Sequence, residues 1–253
     1  MTFDCIALRF HFRAKQSIRF PDPAANLIRG ALGFQLDASL FAPAVATGPS
    51  GLRNRPRPFV LRASELDGRP ILAGEEFDFG ANVFCPGDAL AAAVESAMGG
   101  RAELVSSAGE RVAASLAPDP NPIQRVTVRF LTPTELKSEG GVVERPEFPV
   151  LFARIRERLI SLRTFYGPGP SAIGWPANAA GIRMTRCDIG WRKAERRSTR
   201  TGQRHPLGGF TGEADYEGDL AAFLPFLRAA YWTGVGRQTV WGKGVIDTRR
   251  LEM

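Results

Sequence analysis

The same order of elements is written twice along this chain, on either side of "APDPNP", Ala117 to Pro122. Its closely spaced prolines cannot be carried through a helix or a central strand, so the chain must turn there. Before that break, "FDCIALRFHF" alternates, with Ile6, Leu8, Phe10 and Phe12 on one face and Ala7, Arg9 and His11 on the other, the pattern of a half-buried strand. Asp22 as N-cap and Pro23 at the first helical position predict a helix through "AANLIRGALGFQL", with Leu27, Ala31 and Phe34 on one side and Ile28 and Leu32 beside them. Residues 43 to 58 read as a Pro- and Gly-rich loop. "PFVLRA" and "EEFDFGANVFC" then predict two strands, Asp88 caps a helix through "ALAAAVESAM", and "AELVSS" with "RVAASL" closes the unit as a strand or hairpin.

After the break the order restarts. "IQRVTVRFLTP" alternates as a strand, and "FPVLFARIRERLISLRTFY" places Leu151, Ile155, Leu159, Leu162 and Tyr166 at helical spacing until "GPGP" stops it. "GIRMTRCDIGW" and "GGFTGEADYEGD" predict a strand pair, a helix runs from about Ala221 to Tyr231, and "GKGVIDTRR" closes as a strand. Two successive βαββαβ patterns predict an α+β protein of tandem ferredoxin-like domains with antiparallel sheets, over residues 1–122 and 123–253.

Composition permits this fold: at 253 residues and 44% hydrophobic, the chain can bury two ordinary cores. Cys5, Cys85 and Cys187 are too scattered for a disulfide framework or a zinc cluster, which suits a reducing cytoplasm. No apolar run approaches the roughly 20 residues of a membrane span, and Asp4 and Arg9 spoil a signal peptide, so no membrane partner is expected.

The net charge of +7 is concentrated. Between Arg183 and Arg204 there are eight basic residues against two acidic ones, so this stretch carries nearly the whole surplus and points to a polyanion. Within it, "WRKAERRSTRTGQRHPLGG" favours arginine, whose fork matches phosphate, and adds hydroxyl donors. Arg192, Lys193, Arg196, Arg197, Ser198, Arg200 and Arg204 are the expected phosphate contacts; otherwise such a run is plain solvated surface.

The second candidate is "YWTGVGRQTVWGKG", Tyr231 to Gly244. A Walker A loop would need GxxxxGK[ST] between a strand and a helix, whereas Gly236 and Gly242 are five residues apart, Gly244 follows Lys243, and the order is helix to strand. The dinucleotide fingerprint fails because Thr239 stands where its third glycine belongs. What remains is exposed backbone N–H groups at Gly234, Gly236, Gly242 and Gly244, flanked by Arg237, Thr239 and Lys243, suited to an extended sugar-phosphate chain.

These residues resemble the CRISPR-associated repeat-RNA processing endoribonucleases of the RAMP superfamily. "LIRGALGFQL", "VTVRFLTPTELK" and "RHPLGGFTGEADYEGDLAAFLPFLRAAYWTGVGRQTVWGKG" carry the resemblance in the family's order, most specifically in the C-terminal half. It implies that the four glycines position repeat RNA, and that cleavage needs neither metal nor cofactor. In that chemistry a 2′-hydroxyl attacks the adjacent phosphorus, leaving a 2′,3′-cyclic phosphate and a 5′-hydroxyl. It also implies proteins of a CRISPR effector complex as partners, and a monomer or homodimer.

Such chemistry needs a base, an acid and cations. Many members of the family place a histidine in or just after the first helix, but Ala24 to Leu36 contains no His, Tyr or Lys. The two histidines of the chain, His205 at the end of the basic run and His11 on the first strand, are therefore the candidate proton carriers, with Tyr166, Tyr216 and Tyr231 behind them. Many close relatives also carry a cysteine cluster after that helix; residues 37 to 60 have none, so no metal staple is expected there. A non-catalytic RNA-holding subunit of the same superfamily is the alternative. A metal nuclease is the third reading, which would use Asp215, Glu217 and Asp219, although Asp219 also suits a helix cap.

Overall fold

A computed structural model describes residues 1–41, 55–85, 87–169, 173–193, 195–197 and 204–250. The first unit runs β1 (Thr2–Ala14), α1 (Ala25–Leu32), β2 (Phe59–Arg62), β3 (Glu76–Val83), α2 (Asp88–Met98) and β4 (Ala102–Ser115). Its sheet has the order β2-β3-β1-β4 and every pair is antiparallel. The second unit runs β5 (Arg125–Thr134), α3 (Phe148–Tyr166), β6 (Arg183–Arg192), β7 (Glu195–Arg197), β8 (Arg204–Pro206), β9 (Gly209–Glu217), α4 (Leu224–Thr233) and β10 (Ile246–Arg250). Its sheet order is β6-β9-β5-β10, again antiparallel, with β7 and β8 paired as a separate hairpin. In both sheets the first strand lies between the third and the fourth, which is the ferredoxin-like order, so the α+β tandem architecture read from the sequence stands.

Alternation explains the first layer. Phe10, Phe12, Phe77 and Phe79 point to one side of the first sheet, and Phe12 stacks on both Phe77 and Phe79 at 5.7 and 5.6 Å between ring centroids. Ile28 and Leu32 of α1 and Leu90 and Val94 of α2 close over them. The other face of this sheet is not left to solvent throughout: Phe3, Cys5, Val60 and Phe84 join the core made by α3, α4 and the second sheet. Polar contacts fix that junction. Asn82 Nδ2 donates to Trp232 O at 2.8 Å, Arg163 Nη1 to Thr2 O at 2.8 Å, and Tyr166 OH to Pro56 O at 2.5 Å.

Several details differ from the sequence expectations. α1 ends at Leu32, and the chain tightens into i→i+3 bonds (Phe34 N to Ala31 O, 3.2 Å; Gln35 N to Leu32 O, 3.0 Å), which rotates Phe34 off the apolar stripe and leaves it 88% exposed. Asp22 does not cap this helix; Asp67 reaches Ala24 N at 2.7 Å from another loop, and Asp22 instead accepts from Arg192 at 2.8 Å. Gly87 holds the N-cap position of α2, and Asp88 is its first helical residue. Of the strand or hairpin expected for the closing segment, the structure has the single strand, β4, whose residues 106–111 are exposed, so their polarity marks solvent and not a turn. α4 begins only at Leu224, leaving Asp219 outside its cap. No helix of the described residues is long and apolar enough to cross a membrane.

Candidate nucleic-acid interface

The glycine-rich loop leaves α4 at Gly234 and returns as β10. Gly234, Gly236, Gly242 and Gly244 all have positive φ, as does Gln238, and Thr239–Trp241 form a 3-10 turn at the tip. Two glycines are dictated by contact as well as by φ. A Cβ on Gly244 would lie 1.9 Å from Val235 O, and one on Gly236 would lie 2.4 Å from Glu135 O. The close approach serves a short ladder: Val235 N donates to Gly244 O (2.8 Å), Gly244 N to Pro133 O (3.1 Å) and Arg237 N to Glu135 O (3.1 Å).

The tip is a wedge between the two units. Val240 is 5% exposed and belongs to the first unit's core, which is worth about 1.5–3 kcal/mol for a side chain of this type. Trp241 lies under the Arg29 guanidinium of α1, 4.4 Å from ring centroid to Cζ, and the same guanidinium covers Phe41 at 4.3 Å.

Under the loop sits a charged knot. Lys243 is 1% exposed, and its ammonium donates to Gly208 O and Gln238 Oε1, both at 2.7 Å, with Glu135 Oε2 at 3.8 Å. Burial lowers the Lys243 pKa to about 8 against the pull of Glu135. Glu135 is itself buried and accepts from Arg237 Nη1 at 2.5 Å. Lys243 and Thr239, expected at the loop surface, therefore face inward; Arg237, with half its side chain exposed, is the cation the loop presents outward.

Gly208 follows the basic hairpin, so Lys243 ties the glycine-rich loop to the hairpin's foot. The hairpin pairs Arg196 with His205 and Arg197 with Arg204 in register. Arg192 at its base is half-exposed and bonded to Asp22, and Lys193 is exposed. Ser198 and Arg200 lie outside the described residues, as do the side chains of Arg196, Arg197, Arg204 and His205.

His11 stands apart from this assembly. Its Nδ1 is 2.9 Å from Asp78 Oδ1 and its Nε2 3.0 Å from Glu76 Oε2, so both ring nitrogens are engaged by carboxylates of β3. Asp78 first, and Glu76 with it, raise its pKa above the ordinary value. Of the tyrosines, Tyr216 is fully buried with its hydroxyl on Pro146 O at 2.6 Å, Tyr166 is tied to Pro56, and Tyr231 is 40% exposed. Asp215 accepts from Arg186 Nε at 2.6 Å, which keeps its carboxyl below the usual range, and Glu217 pairs with Arg125. Among the described residues no three His, Cys, Asp or Glu side chains are grouped to hold a metal.

The structure adds residues that sequence reasoning passed over: Glu135 and, on α3, Arg154, Arg158 and Ser161. With Arg57 and Arg237 they line a cavity of about 440 Å³ between α3, the loop and the segment 55–57. The only signal in the sequence was the i, i+4, i+7 spacing on α3, which reads equally as a solvated face.

Residues 128–246 match the family model described as CRISPR-associated endoribonuclease Cas6, a span that contains both the basic hairpin and the glycine-rich loop. A comparison with curated proteins gave no match. The fold is similar to that of Thermus thermophilus Cas6, at 16% identity and a TM-score of 0.57 over 98% of this chain and 99% of that one. It is similar at 16% identity and a TM-score of 0.57 to a Cas6 substrate mimic complex, over 98% of this chain and all of that one. A partial Cas6-RT-Cas1–Cas2 complex matches at 13% identity and a TM-score of 0.60, over 98% of this chain and 46% of that one. The family resemblance read from the sequence is borne out by the family match over residues 128–246, and the solved structures bear out the fold.

Proposed function

We propose that this chain, with a CRISPR-associated endoribonuclease Cas6 domain over residues 128–246, binds CRISPR repeat RNA and cuts it to mature guide RNA. The observation that carries this reading is that one family match spans the arginine-rich hairpin and the glycine-rich loop, which Lys243 joins physically. In this reading residues 1–122 and 123–253 are the two units. The hairpin grips phosphates through Arg192, Lys193, Arg196, Arg197, Arg200 and Arg204, and the loop presents Arg237 and the backbone of its outer turns. Repeat RNA is the partner. Other CRISPR proteins are further partners, as the Cas6-RT-Cas1–Cas2 assembly suggests by its composition.

The reaction proposed is metal-independent. A 2′-oxygen forms a bond to phosphorus as its proton passes to a base, and the P–O5′ bond breaks as an acid protonates the leaving oxygen. His205 is the imidazole available for a proton transfer, opposite Arg196 in the hairpin ladder. His11 has both ring nitrogens engaged by Asp78 and Glu76, which leaves neither facing a bound RNA.

One observation favours the alternative, an RNA-holding subunit that does not cut: neither α1 nor the residues that follow it, 33–41, contain a histidine. The test is electrophoresis of labelled repeat RNA after incubation with wild type and with His205→Ala. Discrete cutting by wild type supports the enzyme, and its loss in the variant assigns His205. Tight binding with no cutting establishes the holding protein.

A further inference from the structure

The cavity between α3 and the glycine-rich loop carries more cation than its own carboxylates neutralise. Its two carboxylates are already committed: Glu135 accepts from Arg237 at 2.5 Å, and Glu157 pairs with Arg154 at 2.8 Å. Arg57, Lys137 and Arg158 remain in the wall with no carboxylate within ion-pair distance among the described residues. Arg57 spends its Nε on Phe41 O at 3.3 Å and Arg158 its Nε on Thr233 O at 3.3 Å. Both guanidiniums are destabilised as cations, chiefly by burial, and Arg57 adds repulsion at Arg158. Among the described residues, three polar atoms of the wall, Arg154 Nε, Arg158 Nη2 and Ser161 Oγ, are shielded from solvent and have no hydrogen-bond partner, and Ser161 is 1% exposed. Such groups are costly unless something bonds them. The neighbouring residues 42–54 contain no Asp or Glu and cannot supply the missing charge.

We propose that this cavity is a phosphate-binding site, with the guanidiniums of Arg57 and Arg158 and the ammonium of Lys137 as its cations and Ser161 as the neutral donor. A guanidinium pair suits a tetrahedral oxyanion, and a hydroxyl completes it. The volume of about 440 Å³ decides the scale: it accommodates one nucleotide and excludes a duplex. The phosphate belongs either to a single-stranded segment of bound RNA, an assignment that rests on the RNA reading above, or to a free phosphate or mononucleotide.

The test uses the full chain with Arg57→Gln, Arg158→Gln and Lys137→Gln, each checked for native circular dichroism. Lys137 lies in a two-residue strand outside the main sheets and serves if the half-buried arginine variants fail to fold. Two readouts are made: binding of a single-stranded repeat RNA across a salt series, and the thermal midpoint with inorganic phosphate or AMP. If the phosphate is that of RNA, each variant binds RNA about tenfold more weakly and loses about 0.7 from the log–log salt slope. If it is free, phosphate or AMP raises the wild-type midpoint and not the variants', with RNA affinity unchanged. Wild-type stabilisation by phosphate without any RNA binding keeps the site and sinks the RNA reading. RNA affinity and phosphate response both equal to wild type in all folded variants overturn the site while leaving the RNA reading intact.

Discussion

Replacing Lys243 with Met should change stability in a way that depends on pH, and the sign follows from the knot under the loop. The ammonium is 1% exposed and donates to Gly208 O and Gln238 Oε1, so its removal leaves a buried carbonyl without its donor. Losing these two hydrogen bonds from a charged donor costs about 1.5–3 kcal/mol each. Against this, lowering the amine from its ordinary 10.5 to about 8 means that keeping it charged inside the fold costs about 3 kcal/mol relative to the neutral amine. Near neutral pH the two effects largely cancel, and Lys243→Met loses about 0–3 kcal/mol. Between pH 8 and 10.5 the unfolded chain holds a proton that the folded chain has released, so the wild type gains stability as pH rises through that window. The variant does not. Urea unfolding of both proteins at pH 7 and pH 10.5 reads the difference, which should widen by about 3 kcal/mol at the higher pH. A difference that stays the same at both pH values would refute the reasoning, because it would mean that Lys243 is not held as a costly buried cation.

Three other outcomes are expected. Gly244→Ala should cost at least about 3 kcal/mol by chemical unfolding, because its Cβ would meet Val235 O at 1.9 Å on a backbone with φ +72. Gly242→Ala, whose nearest contact is Ala25 Cβ at 3.3 Å, should cost only about 1–2 kcal/mol; equal costs would contradict the contact geometry. His11 should titrate above 6.5 by NMR and return toward that value in Asp78→Asn; its contribution to stability is present below the unfolded pKa and lost as pH rises through the folded one. A His11 pKa that stays raised in that variant removes Asp78 as the cause. Changing Arg196, Arg197 and Arg200 together to Ala should weaken RNA binding and flatten its salt dependence, by about 0.7 in log–log slope per lost contact, whereas unchanged binding marks the run as solvated surface.

The fold was legible where periodicity is strong. Phe10 and Phe12 alternate and Leu151 to Tyr166 recur helically, and both patterns describe a single face of a single element. Legibility failed where a second segment decides the outcome. Asp67, far from α1 in sequence, provides the hydrogen bond that Asp22 was expected to make, because Asp22 is drawn to Arg192 of the basic run. Phe34 keeps the spacing of a buried residue, but the helix ends one turn too early for spacing to matter. At the site, the glycine pattern announced a strained loop, and positive φ at all four glycines agrees with it. Nothing in "WGKG" distinguishes a lysine that reaches solvent from one folded inward onto Gly208 O, and only the packing of β5 against the loop settles which it is. The α3 arginines were passed over for the same reason: on a helix, a charged stripe facing a cavity and one facing water have identical spacing.

The central claim is RNA cleavage by the RNA's own 2′-hydroxyl. Its most direct test is incubation of the protein with repeat RNA in EDTA, beside an RNA carrying a single 2′-deoxy substitution at the cut site. The account predicts cutting of the all-ribose RNA with a 2′,3′-cyclic phosphate on the upstream product, and no cutting of the substituted one. Cleavage of the deoxy RNA, or cleavage that appears only when a divalent metal is restored, would contradict it.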